Sequence, residues 1–326
     1  MPVFSALTPS TTHLHALLRS ISFASKAHVH ITATGIRFSA DDTRAMQGLA
    51  FLDKSLFTHY HFDSSQNVPT DQPTQATNAS DDAAEDLPIF QISLPALLET
   101  LQIFSSLDNA ERTARDGSTF AADRNGLNAA FDNRVLGMPG TCKITYERTG
   151  HPLNVQLSEG NVETNCELTA YEPELVDDIP FDRDTVRLKV IMRASHLADA
   201  VAELAALNPE RLVITAAPDR PPYFRLSAVG ALGSADVDFD KDAQILETFQ
   251  VRTKGSNEYK FSMVRQAVKA MAGAAKVSVR WDAQGVLSMQ FMVGVEAGKV
   301  SFVDFRFVPF VEEEEVDGSG GHGEGA

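Results

Sequence analysis

Cysteine is scarce: Cys142 and Cys166 are the only two in 326 residues. Two thiols cannot build a disulfide framework or a four-thiolate zinc site, so a reducing compartment, cytosol or nucleus, is the default. Long apolar runs are absent as well. No stretch reaches the ~18 consecutive apolar residues of a membrane-spanning helix. The opening MPVFSALTPSTTHLHALLRS has no basic segment ahead of an apolar one, so no secretory signal is expected. Basic charge is in deficit: 28 Lys plus Arg stand against 44 Asp plus Glu, a formal net charge of −16. That excludes an all-over basic coat for nucleic acid. No Lys/Arg-rich cluster reads as a nuclear import signal.

The acid is unevenly placed. Residues 63–87 hold six carboxylates and no Lys or Arg, and residues 312–326 hold six more, again without a base. Both segments read as disordered, the first rich in Ser, Thr, Asn, Gln and Pro, the second running into GSGGHGEG. A body relieved of these charges is close to neutral and has room for a basic face. A solubilising end is the plain reading of the tail, and an electrostatic decoy or phosphorylatable switch the sharper one.

Four amphipathic helices are expected, at His13–Phe23, Leu94–Phe104, Ser195–Leu207 and Ser262–Ala274. Each carries the i, i+3, i+4, i+7 stripe of a helix with one buried face. Ser195 and Ser262 are the expected N-caps. Alternating strands follow each helix, among them CKITYER, ERLVITAAP, KVSVRWDAQG and VSFVDFRFVPF. Turns such as DAQG and RTG close hairpins. Helix then sheet, four times, predicts an α+β protein of two similar domains, each with two helices packed on antiparallel sheets. The expected boundaries are 1–171 and 186–311, with an extended connector at 172–185 that is acidic and holds Pro173 and Pro180. A long irregular insertion falls at about 105–141.

The stretches ITATGIRFSADDTRAMQ, ITYERTGHPLNVQL, YEPELVDDIPF, LNPERLVITAAP, YFRLSAVGALGSADVDF and FVDFRFVPF carry a further signal. Their order resembles sliding DNA clamps of the proliferating-cell-nuclear-antigen type. More specifically, the chain is similar to the Rad-one family of subunits of the checkpoint (nine-one-one) clamp, in its fungal form. The resemblance implies the DNA-clamp fold and a non-catalytic subunit of a heterotrimeric ring. Such a ring encircles double-stranded DNA without sequence preference at damage sites, supporting checkpoint signalling and repair in the nucleus. The implied partners are two other clamp subunits, a clamp loader, and checkpoint and repair proteins. No cofactor or metal is expected, and no membrane.

Residue by residue, the resemblance implies three sites. DNA-facing bases are Arg19, Lys26, Arg265, Lys269 and Lys276, with Arg280 ending the extended fourth helix. The second and third helices carry Glu99, Asp199 and Glu203 and no base, which suits a mixed ring. Subunit-pairing edges are Val162–Tyr171, with Val162, Cys166 and Leu168, and Gly233–Phe239, with Ala235, Val237 and Phe239. A client groove beneath the connector would use Ala40, Arg44, Ile179, Phe181, Pro309 and Phe310. The alternative is that Ile179 and Phe181 only pin the connector to the body.

Two rival functions are a metal-dependent exonuclease and a homotrimeric replicative clamp. Two-metal nucleases need converging carboxylates, whereas Asp41 and Asp42 are strand neighbours that point to opposite faces. His28 with His30 and His59 with His61 share faces but lack a third ligand. GALGS at Gly230–Ser234 lacks the spacing of a phosphate loop.

Overall fold

The structure is a computed structural model. It describes residues 2–63, 88–102, 141–159, 162–174, 177–294 and 299–311. The acidic segment at 64–87, nearly all of the 105–141 insertion and the tail at 312–326 lie outside the described residues.

In the N-terminal half the elements run β1 (Phe4–Thr8), α1 (Thr12–Ser20), β2 (Lys26–Ile31), β3 (Gly35–Asp42), β4 (Met46–Asp53) and β5 (His59–Phe62). Then come β6 (Ile89–Ser93), α2 (94–102), β7 (Thr141–Tyr146), β8 (Leu153–Glu159) and β9 (Val162–Leu168). The C-terminal half repeats this order: β10 (Leu188–Arg193), α3 (Ala194–Ala205), β11 (Arg211–Ala216), β12 (Phe224–Gly230), β13 (Gly233–Phe239) and β14 (Leu246–Val251). Its second part is β15 (Gly255–Lys260), α4 (Phe261–Gln266), α5 (Val268–Gly273), β16 (Lys276–Trp281), β17 (Leu287–Gly294) and β18 (Val300–Phe307).

Three antiparallel sheets result. A five-stranded sheet has the order β5-β1-β7-β8-β9, and a four-stranded one β13-β12-β11-β15. The third, β14-β10-β16-β17-β18-β4-β3-β2-β6, has nine strands and runs through both halves of the chain. Its seam is the β18–β4 pair, from Val303↔Ala50 to Phe307↔Met46. In element order β18 of the second half corresponds to β9 of the first, and β4 corresponds to β13. The halves therefore join through the strand types that, at β9 and β13, end their sheets among the described residues.

The helices lie on one side of these sheets and bury their apolar stripes. Leu14, Leu17 and Leu18 of α1, and Leu197, Val201 and Leu204 of α3, are buried in one continuous core. Burial of each such side chain contributes about 1.5–3 kcal/mol before entropy is counted. Beyond α1, Phe23 lies directly against β4 at Gly48, where an added Cβ would sit 2.8 Å from its ring.

Two helix starts differ from expectation. The N-caps are Arg193 and Lys260, not Ser195 and Ser262, and neither makes a side-chain cap. Each helix leaves its strand without a turn. Strand ends satisfy the first amides: Ala194 N–H donates to Ala275 O at 3.2 Å, and Phe261 N–H to Glu210 O at 2.9 Å. The expected fourth helix is also broken at Ala267 into α4 and α5. The DAQG turn forms as expected, with Gly285 at φ +81° and the Asp282 carboxylate accepting from Gln284 and Val286 N–H at 2.9 and 3.0 Å.

Candidate nucleic-acid and subunit interfaces

α5 lies between α1 and α3 and touches both. Three of the expected bases are exposed on this helical layer. Arg19 occupies the last turn of α1, and Arg265 the last turn of α4, where each complements the helix dipole. Lys269 of α5 donates to Ser22 Oγ at 2.9 Å and so bridges the two halves. The other two bases are differently placed. Lys26 begins β2, stands 3.9 Å from a Glu174 carboxylate oxygen and lies over the Tyr171 ring at 4.8 Å. Lys276 begins β16, because the helix ends at Gly273, and pairs with Glu247 at 2.7 Å. Their charges are already met by carboxylates. Arg280 is likewise on β16 and not on a helix; its guanidinium stacks on Phe181 at 5.3 Å and contacts Ser288 at 2.9 Å. Glu99, Asp199 and Glu203 are exposed on α2 and α3, so the helical layer is basic towards the α1–α5 seam and acidic away from it.

Among the described residues β9 and β13 each end a sheet and pair on one side only, with β8 and β12. Both show the same exposure pattern along seven residues. Of the expected interface residues, only Val162 is exposed, at 61%. Cys166, Ala235 and Val237 are half-buried, while Leu168 and Phe239 are buried. Phe239 packs on Phe224 with ring centroids 5.6 Å apart. These side chains face the core, and what the strands offer outwards is backbone plus the alternate residues. Those are Glu163, Asn165 and Glu167 on β9, and Ser234, Asp236 and Asp238 on β13. Sequence reasoning passed over them, although the period of two marks them. It also passed over Val229 and Leu232, 73% and 78% exposed at the β12–β13 tip.

The connector crosses the outer face of the nine-stranded sheet, opposite the helices. Tyr171 exchanges backbone hydrogen bonds with Gln91 of β6. Asp178 accepts from Arg37 of β3 and from Gln47 of β4, the latter at 2.8 Å. Burial would raise the Asp178 carboxyl, but the Arg37 hydrogen bond and charge, with Gln47, outweigh it and hold it below the usual range. Ile179, 4% exposed, donates its N–H to Gln47 Oε1 at 3.2 Å and accepts from Arg306 of β18 at 2.6 Å.

These positions correct the expected groove. Ala40 is fully buried in the core and offers no surface. Ile179 is itself seated in the sheet face. Arg44 is exposed in the β3–β4 turn at φ +57°. Pro309 and Phe310 lie further along, where Phe310 N–H donates to Glu258 O at 2.8 Å and its ring carries Arg211 at 4.6 Å. The six residues do not line one open groove, because Ala40 and Ile179 are buried and the Phe181 ring is covered by the Arg280 guanidinium.

The sequence profile described as "Repair protein Rad1/Rec1/Rad17" matches residues 3–293. The chain belongs to the Rad1 family. It is 32% identical over 318 residues to the DNA damage checkpoint control protein rad1 of Schizosaccharomyces pombe, covering 96% of this chain and 89% of that one. It is 30% identical over 307 residues to the cell cycle checkpoint protein RAD1 of Homo sapiens, covering 93% and 89%. In fold it is similar to the proliferating cellular nuclear antigen of Entamoeba histolytica, with TM-score 0.65, 12% identity, and coverage of 95% of this chain and all of that one. The α+β DNA-clamp fold is therefore established. A more distant relative, 24% identical over 181 residues and covering 46% of this chain and 39% of its own, is named DNA repair exonuclease REC1, from Mycosarcoma maydis.

Some of the positions raised for catalysis in this Rad1-family chain have structural uses. Asp41 Oδ1 accepts from Arg44 N–H at 3.1 Å and closes the β3–β4 turn. Among the described residues no three His, Cys, Asp or Glu side chains come together as a metal site. His28 meets Gln91 at 2.9 Å. Burial lowers the pKa of His28 and His30, and the Arg37 charge adds to the effect at His30. His59 and His61 are exposed on β5. Burial pushes the Cys142 thiol up to about 12, so it stays protonated and inert. Trp281 is buried on β16.

Proposed function

We propose that this chain is one subunit of a heterotrimeric ring that encircles double-stranded DNA without sequence preference in the nucleus and supports checkpoint signalling and repair. In this reading residues 1–171 and 186–311 are the two clamp domains, a loader opens the ring, and the chain itself catalyses nothing. The observation that carries it is the β18–β4 seam. The protein joins its own halves by pairing a β9-type strand with a β13-type strand. A ring of such units repeats that junction between subunits, through β9 and β13, the sheet ends of the two matching strand types. Strand addition supplies the affinity through backbone hydrogen bonds. The exposed bases at the α1–α5 seam then face the hole and give water-rich phosphate contacts that permit sliding.

The experiment is co-expression with the two partner subunits, followed by native mass measurement and retention on closed circular DNA. A one-to-one-to-one complex that leaves the DNA on linearisation supports the proposal. A stable homotrimer of this chain sinks it in favour of the replicative clamp. The relative named as an exonuclease favours the nuclease reading. Against it, no three His, Cys, Asp or Glu side chains converge among the described residues, and Asp41 has one carboxylate oxygen engaged in the β3–β4 turn.

A further inference from the structure

The edges that the ring reading assigns to subunit contact carry a charge pattern of their own. We propose that β9 and β13 are charge-coded against each other, so that this chain cannot close a ring with its own copies. The strand that meets β9 must instead present Lys or Arg on its outward face. The proposal rests on the ring reading above and names the chemistry of the neighbour.

The outward residues of β9 are Glu163, Asn165 and Glu167, and those of β13 are Ser234, Asp236 and Asp238. In an antiparallel pair, keeping apolar faces inward allows only shifts of two residues. The acids on β9 are four apart and those on β13 two apart. Every in-phase register with substantial overlap therefore sets one Glu directly opposite one Asp: Glu163 on Asp236, Glu163 on Asp238, Glu167 on Asp236, or Glu167 on Asp238. Like charges directly opposed destabilise a strand pair.

The neighbourhood does not cancel this. On β8, Gln156 donates to Glu163, and among the described residues no Lys or Arg pairs with either glutamate. On β12, Arg225 holds both aspartates, Asp236 at 3.2 Å and Asp238 at 2.5 Å. One guanidinium against two carboxylates leaves that edge with one negative charge in excess. The internal seam lacks the conflict. There Asp304 faces Leu49 and Arg306 faces Gln47. The same chain thus pairs these strand types where charge permits and leaves them open where it does not. Val229 and Leu232, exposed beside β13, supply an apolar contact for the neighbour.

The test is a charge-reversal cycle on the full chain, read by sedimentation at rising salt. One variant carries Glu163→Lys with Glu167→Lys, a second carries Asp236→Lys with Asp238→Lys, and a third carries all four. All substituted positions are exposed, and thermal melting checks the fold. Either single-edge variant should self-associate about tenfold more tightly than the original chain, since the one directly opposed pair changes from repulsive to attractive. The gain should shrink with salt. The four-lysine variant restores like against like and should return to the original weak association. The first variant should also lose the partner subunit that binds β9 while keeping the one at β13. Equal association across all four proteins overturns the proposal. If the unmodified chain still forms its ring with both partners in that case, only the charge code has failed. If it forms no ring with them, the ring reading has failed.

Discussion

Neutralising Arg265 and Lys269 with glutamine tests the helical layer as a DNA-facing surface. Arg19, Arg265 and Lys269 are the expected bases that are exposed and free of a carboxylate, among the described residues. Each phosphate contact contributes about 0.9 to the slope of log affinity against log salt. Three contacts give this subunit a share of about 2.7, and the double variant removes about 1.8 of it. Over a fourfold rise in salt that difference amounts to about one log unit, so the defect is roughly tenfold larger at the low end than at the high end. Lys26→Gln and Lys276→Gln are the controls. Glu174 and Glu247 already answer their charges, so both should leave the slope within about 0.3 of the original. The assay is binding of the assembled complex to DNA of two unrelated sequences across a salt series, with native mass confirming assembly. A double variant with the original slope refutes the assignment. So does a Lys276→Gln defect as large as that of Lys269→Gln.

Four further outcomes are expected. Ile179→Ala should cost about 2 kcal/mol, the lower end for a buried isoleucine because the connector can settle into the space; a denaturant midpoint and faster hydrogen exchange at 177–181 report it, and an unchanged midpoint speaks against a pinned connector. Stability should fall as pH drops below 6.5, because His28 and His30 have folded pKa values below that reference and the unfolded chain takes up protons first. His28→Asn with His30→Asn should flatten the melting-temperature profile there, while the share of Asp178 is lost only below 3.8. Val237→Lys should weaken one junction in a folded subunit, whereas Phe239→Asp, at a buried ring, should lower the melting temperature of the isolated chain; equal melting of the two would mean Phe239 is not core. Purified protein should not degrade end-labelled DNA with magnesium or manganese, and activity that co-elutes and vanishes in Asp41→Asn would overturn the non-catalytic reading.

Periodicity alone carried much of this protein. The stripes of α1 and α3 and the alternation along β7, β11, β16 and β18 depend on residues two to four apart, so burial of one face is written locally. The break at Ala267 was not legible, because Val264, Val268 and Met271 continue a helical stripe through it. Nor was the start of α3. Ser195 is a good cap by type, but the first amide is met by Ala275, some eighty residues later in the chain. The chain's composition announced a basic deficit and an uneven distribution of acid. Which bases are free was decided by tertiary contacts, since Lys276 and Glu247 meet only when β16 and β14 flank β10. The groove shows the same limit. Ala40 and Ile179 sit where the resemblance put them along the chain, yet packing buries one in the core and seats the other in the sheet face. Alternation in β9 and β13 told which residues share a face. Only the sheet order made those strands edges, because an edge is defined by the absence of a neighbour, and no local pattern encodes that.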